Sequence, residues 1–160
     1  MKHQVVEAIS DAWKDVHYTQ VIDQCLRDYS PHPEEQEAKR LFLGRTWGDI
    51  PDEVLKNDMP NPFLIGPTAL RYYMPAFLIS AIREERWCEL LERLVDRQLR
   101  VPMKKMALEH FKKHFDPFSQ PQRMAITNFL RFASTFYADD SRVKARINDS
   151  IVRYWGRTDG

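Results

Sequence analysis

The chain has 160 residues, of which 43% are apolar, 12% aromatic and 29% charged, a balance that fits one globular domain with its own core and excludes wholesale disorder. The formal net charge of +1 gives no overall electrostatic pull toward nucleic acid or an anionic membrane. The charge is uneven, with 13 Lys/Arg against 17 Asp/Glu in residues 1–100 and 11 against 6 in residues 101–160, and such asymmetry can mark a partner-facing surface.

Val5, Val6, Ile9, Trp13 and Val16 fall at steps of three and four and predict a first amphipathic helix. A second helix is predicted over Thr19 to Tyr29, ending at the break Ser30-Pro31-His32-Pro33. Pro33 suits the first turn of a third helix, Glu34, Glu35 and Glu37 suit its positive end, and Gly44 marks its stop. Trp47 to Ile50 reads as a connector and Pro51 to Lys56 as a short helix. Residues 57–66, with Pro60, Pro62 and Gly66, form the longest predicted loop and the expected mobile segment.

From Pro67 the helical pattern runs to about Glu85 with Pro75 inside it, which predicts a kink, because an internal proline removes one hydrogen bond and costs about 3 kcal/mol. Trp87, Leu90, Leu91, Leu94, Val95 and Leu99 continue the pattern. After Pro102, an apolar stripe is predicted through Met103, Met106, Ala107, His110, Phe111 and His114, with Lys104, Lys105, Lys112 and Lys113 on the opposite face. Ser119 and Gln122 are spaced as a capping box, opening a helix through Phe129 to Tyr137. Asp139 or Asp140 caps the last helix, with Val143, Ile147, Ile151 and Trp155 at four-residue steps. No segment alternates as a strand does, so the expected fold is an all-α, single-domain bundle of about seven helices spanning residues 1–160.

Chemistry-bearing residues are sparse. His110 and His114 lie one turn apart, a spacing that can bind zinc, but Phe111 stands where a zinc protease needs Glu, and both histidines continue the apolar stripe. Packed, hydrogen-bonded histidines are the expected outcome. Cys25 and Cys88 sit in no nucleophile signature, and two widely spaced cysteines suit reduced thiols in the cytoplasm. Neighbouring carboxylates such as Glu84/Glu85 do not face each other on a helix. The scattered glycines form no phosphate loop. No cofactor, metal or catalytic residue is expected. Lys104, Lys105, Lys112 and Lys113, with Arg142, Lys144, Arg146 and Arg153, make the C-terminal region basic, but no nucleic-acid-binding signature accompanies them. No window approaches 18 apolar residues, which argues against a membrane span.

Trp47, Arg71, Tyr72 and Tyr73 are residue types enriched at binding hot spots. Consecutive helical residues point about 100° apart, so one tyrosine is expected to pack while the other spans a helix interface or reaches the surface. Packing around the proline is the alternative role for all four.

The segment Phe42-Leu43-Gly44-Arg45-Thr46-Trp47, then Thr68-Ala69-Leu70-Arg71-Tyr72-Tyr73-Met74-Pro75-Ala76-Phe77-Leu78, resembles a group of uncharacterised bacterial proteins. Their shared pattern is a Trp after a Phe-x-Gly-like step, followed by Thr-Pro-Glu-Ala-Phe-x-Tyr-Tyr-Leu-Pro-Ala-Phe. Phe118-Ser119 through Gln122-Arg123-Met124-Ala125-Ile126 to Phe129-Leu130 is similar to their C-terminal helix start. This chain departs from the pattern with Gly-Pro-Thr-Ala-Leu at 66–70, so the acidic residue of that helix start is missing. The resemblance implies a bacterial, cytosolic domain and brings no catalytic residues.

These readings point first to a small helical protein-binding module, in a concrete version an immunity- or antitoxin-like inhibitor of a partner protein. Its candidate partner-binding residues are Trp47, Arg71, Tyr72, Tyr73, Lys105 and Lys112. The alternatives are a ligand binder or enzyme with a site near the proline-containing helix, and a homo-oligomeric scaffold or regulatory subunit.

Overall fold

The computed structural model describes residues 1–28, 33, 39–58, 65–83 and 88–158. Among them no strand occurs, and the chain folds as α1 (Lys2–Trp13), α2 (Gln20–Asp28), α3 (Pro67–Arg83), α4 (Glu89–Arg93), α5 (Lys105–Phe115), α6 (Gln120–Ser134) and α7 (Ser141–Ser150). The all-α expectation holds. Short 3-10 turns occupy Trp47–Asp49 and Thr135–Tyr137. α4 and α7 each run on into a widened turn, Leu94–Gln98 and Ile151–Trp155, where Leu99 N donates to Leu94 O and Gly156 N to Ile151 O, both at 2.8 Å. No described helix is long and apolar enough to cross a membrane.

α3 is the centre of the bundle. α1, α2, α4, α5 and α6 all touch it, as do the turns at Trp47–Asp49 and Val54–Asp58. From Ala69 to Ile82 every residue except Arg71 is buried. A helix enclosed on all sides needs no single apolar face. Of the two alternatives expected for the second tyrosine, reaching the surface is overturned, since Tyr72 is 3% exposed and Tyr73 0%, while the helix-interface alternative fits Tyr72, whose ring packs on Tyr18. Despite their separation of about 100° along the helix, the two rings meet edge-on with centroids 4.7 Å apart, and the helices and turns around α3 bury both.

α3 passes through Pro75 as one continuous helix. Proline has no N–H, so the carbonyl four residues earlier, Arg71 O, loses its helical donor. The indole Nε1–H of Trp13 fills that vacancy at 2.8 Å. Trp13 is fully buried at the end of α1, so one residue both packs α1 onto α3 and satisfies the acceptor freed by the proline.

Several helix ends follow local chemistry. Ser119 N donates to Gln122 Oε1 at 2.9 Å and Gln122 N to Ser119 Oγ at 3.4 Å, closing the expected capping box of α6. Asp140 rather than Asp139 caps α7, its Oδ1 accepting from Arg142 N and Val143 N at 3.1 Å each. Gly44 has φ of 74°, the left-handed conformation that ends a helical turn without a Cβ penalty. The expectations placed on Tyr29, Glu34, Glu35, Glu37, Pro60, Pro62 and Trp87, including the body of the 57–66 loop, lie outside the described residues.

The stripe predicted for α5 is rotated. Met103 and Met106 are 78% and 83% exposed, and Ala107 and His110 are exposed as well. The buried side is Phe111, His114 and Phe115, with Leu108 half-buried beside them. Two causes are visible. Lys104 has extended backbone, so Met103 precedes the helix and cannot set its phase. Phe111 and Phe115 pack edge-on against Trp155, with ring centroids at 5.7 and 5.0 Å, and this aromatic cluster fixes which face turns inward.

Candidate functional site

The six candidate partner-binding residues do not form one site. Tyr73 Oη lies 2.9 Å from Phe42 O and 2.7 Å from Arg45 O, and Tyr72 Oη accepts from Trp47 N at 3.3 Å. The two hydroxyls thus tie the 42–47 turn to α3. Burial raises the pKa of both phenols, Tyr73 the more strongly, which keeps them neutral hydrogen-bonding groups. Tyr18 packs edge-on to Tyr72 at 5.8 Å and accepts from Gly44 N at 3.1 Å, where Asp23 Oδ1 also accepts at 3.1 Å. Trp47, Tyr72 and Tyr73 are brought together, then, as a clamp on the turn. Trp47 is half-buried against the core. Arg71 alone of this group is exposed, and its Nη1 donates to Pro117 O at 3.0 Å beside a narrow cleft of about 170 Å³.

His110 and His114 are neighbours, with ring centroids 4.5 Å apart, but only His114 is buried, at 1% exposure. Its Nδ1 lies 2.9 Å from His110 O, which requires the proton on Nδ1. Burial lowers its pKa, so the ring is held neutral. No three His, Cys, Asp or Glu side chains among the described residues are gathered as a metal site requires. Cys25 and Cys88 are both half-buried free thiols.

Lys112 lies elsewhere, on a groove of about 490 Å³ between α5, α6 and the widened turn that ends α7. Four cations line it: Lys112, Arg123, Arg153 and Arg157. Lys105 is exposed on α5 seven residues before Lys112, two turns along the same helix face.

Backbone carbonyls hold two of the arginines in place. Arg123 Nε donates to Phe118 O at 3.3 Å and Nη2 to Asp116 O at 3.1 Å. Arg153 Nη1 donates to Val101 O at 3.2 Å and Nη2 to Pro102 O at 2.9 Å, with Asp149 Oδ2 at 3.1 Å from Nη1. The extended stretch that supplies those carbonyls is itself anchored, since Val101 N donates to Ser150 Oγ at 3.0 Å and Trp155 Nε1 to Leu99 O at 2.8 Å. Tyr154 closes the groove against the core. Its ring lies 5.0 Å from the Arg123 guanidinium carbon and its hydroxyl donates to Asp116 Oδ1 at 2.8 Å. Asp116 is thereby engaged with Tyr154 and, at 3.8 Å, with Arg123.

Neither the Lys112 ammonium nor the Arg157 guanidinium has a hydrogen-bond or ion-pair partner among the described residues. The groove therefore presents two unopposed cations beside two fixed guanidinium planes, a donor set suited to an anion. Sequence reasoning singled out Lys112 and Arg153 but not Arg123, Arg157, Asp116 or Tyr154. The one available signal was the positive excess after residue 100, which states a sign and no location.

Comparison with known proteins gives one positive result. No curated protein matches the chain, and no solved structure matches it. A family described as of unknown function, DUF6714, matches residues 1–159, in agreement with the resemblance to an uncharacterised family seen in the Trp47 and Tyr72-Tyr73-Met74-Pro75 motifs. The chain belongs to that family of unknown function.

Proposed function

We propose that this chain is a protein-binding module whose docking surface is the basic groove between α5, α6 and the end of α7, and that it receives an acidic segment of a partner protein. The observation that supports this reading is the pairing of fixed and free cations: Arg123 and Arg153 are held by backbone carbonyls, while Lys112 and Arg157 lack opposing charge among the described residues. Guanidiniums already ordered in the free protein lose little entropy on contact, so more of their interaction energy appears as affinity. The finer version is an immunity-type inhibitor, in which the partner loses its activity while the groove is occupied. A bacterial, cytoplasmic setting belongs to the same proposal; the unpaired thiols Cys25 and Cys88 are compatible with a reducing compartment.

The test is affinity capture of the tagged chain from its native cells, at low and at raised salt. One stoichiometric protein partner, released as ionic strength rises, is the expected result. Recovery of no stoichiometric partner, or of one indifferent to salt, contradicts the reading.

A further inference from the structure

We infer that the groove recognises a phosphate monoester, so that the anion it is built for is one doubly charged group rather than isolated carboxylates. This rests on the docking reading above and names the chemistry of its ligand. Around the groove stand four cations, Lys112, Arg123, Arg153 and Arg157, against two aspartates, Asp116 and Asp149. The aspartates are already engaged, Asp116 with Tyr154 and Arg123, and Asp149 with Arg153. Two positive charges, those of Lys112 and Arg157, are left uncompensated among the described residues. A phosphate monoester carries about −1.5 to −2 charge at neutral pH and three acceptor oxygens in one compact group, which matches that excess. A carboxylate or a backbone phosphodiester brings one charge per group and leaves half of it unmet.

The shape of the site adds a second constraint. At about 490 Å³ the groove is far larger than a bare phosphate and falls within the usual range of small-ligand sites. Val101 and Leu108 give it an apolar wall and Tyr154 an aromatic one. The phosphate thus comes attached to an organic group that rests on those side chains. A phosphorylated residue of a partner and a free phosphorylated metabolite share this chemistry.

Calorimetric titration of the whole chain at constant pH with phenyl phosphate and phenyl sulfate separates charge from shape, because the two differ mainly in carrying two charges or one. Phenyl phosphate is expected to bind about tenfold or more tightly than phenyl sulfate, and to lose that advantage in the Lys112→Ala/Arg157→Ala variant. Both substituted side chains are exposed, so an unchanged melting temperature shows that the fold is intact. A phosphoserine peptide that binds more tightly than phenyl phosphate supports a phosphorylated partner as the source; one that binds no better supports a small-molecule ester. Equal binding of the two phenyl esters, absence of binding, or tighter binding of single-stranded nucleic acid overturns the inference. If a partner is captured through the groove but phenyl phosphate neither binds nor competes, the docking reading stands and the phosphate inference falls. If phenyl phosphate binds while partner capture ignores the groove variants, the docking reading falls and the phosphate site stands.

Discussion

Trp13 and Pro75 are joined through a backbone atom that belongs to neither. The indole of Trp13 donates at 2.8 Å to Arg71 O, the acceptor that Pro75 leaves without its helical donor. Trp13→Phe therefore removes buried volume and also takes the indole donor from the half-buried Arg71 carbonyl, with an expected cost of about 2–3 kcal/mol. In a Pro75→Ala background the alanine N–H can reach Arg71 O, and the same substitution should cost about 1 kcal/mol less. Urea unfolding of the four proteins in this cycle measures the difference. Equal costs in both backgrounds would show that Trp13 acts by packing alone.

The paired tyrosines carry a different expectation. Tyr73→Phe removes the one hydroxyl proton shared between Phe42 O and Arg45 O; Phe42 O keeps the Arg45 N–H at 3.1 Å, so the loss falls on Arg45 O, at a cost of about 1–2 kcal/mol. Tyr72→Phe removes a longer contact, 3.3 Å to Trp47 N, and should cost less. Because both side chains are buried, neither change should alter capture of a partner by the folded protein. Loss of capture by Tyr72→Phe at unchanged stability would return the docking surface to the α3 region.

His114 should give stability a pH dependence. Burial lowers its pKa below the ordinary value of 6.5; the hydrogen bond to His110 O opposes the shift, while the charges of His110 and Lys113 add to it. As pH falls through 6.5 the unfolded chain takes up a proton that the folded chain refuses. The stability associated with neutral His114 is therefore full above that pH and declines below it, down to the depressed folded value. Thermal unfolding from pH 7.5 to about 5 should show a smaller decline in His114→Phe than in the parent chain. Parallel profiles would mean that other groups set the acid limit.

Gly156 closes the widened turn that carries Arg153 and Tyr154 and leads into Arg157. A Cβ there would lie 3.0 Å from Ile151 Cγ2 and 3.0 Å from Ile151 O, and the backbone oxygen cannot swing away as a side-chain tip could. Gly156→Ala should destabilise the chain by about 1–3 kcal/mol and weaken phenyl phosphate binding by displacing Arg157. Unchanged stability and binding would show that the turn absorbs the methyl without moving the groove.

The features legible in the sequence are those decided by neighbours in the chain. Ser119 and Gln122, Asp140 and Gly44 announce helix ends through their own hydrogen-bonding or backbone chemistry. Val5, Ile9 and Trp13 reveal the inner face of α1 because that helix has one. Periodicity failed on α3 for the opposite reason, since a helix enclosed by five others has no outer face to infer. It failed on α5 because counting began at Met103, a residue outside the helix, while the deciding contacts came from Tyr154 and Trp155 more than 35 positions away. The groove was the least legible feature. Its cations come from three separate elements, and only the bend of the chain at Ile151–Trp155 brings Arg153 and Arg157 beside Lys112 and Arg123.

The most direct measurement compares partner capture from native cells by the parent chain and by the Lys112→Glu/Arg157→Glu variant, with melting temperatures recorded in parallel. If the groove is the docking surface, the parent retains a stoichiometric protein partner and the charge-reversed variant, folded and equally stable, loses it. Equal capture by both proteins would place the docking surface elsewhere on the bundle.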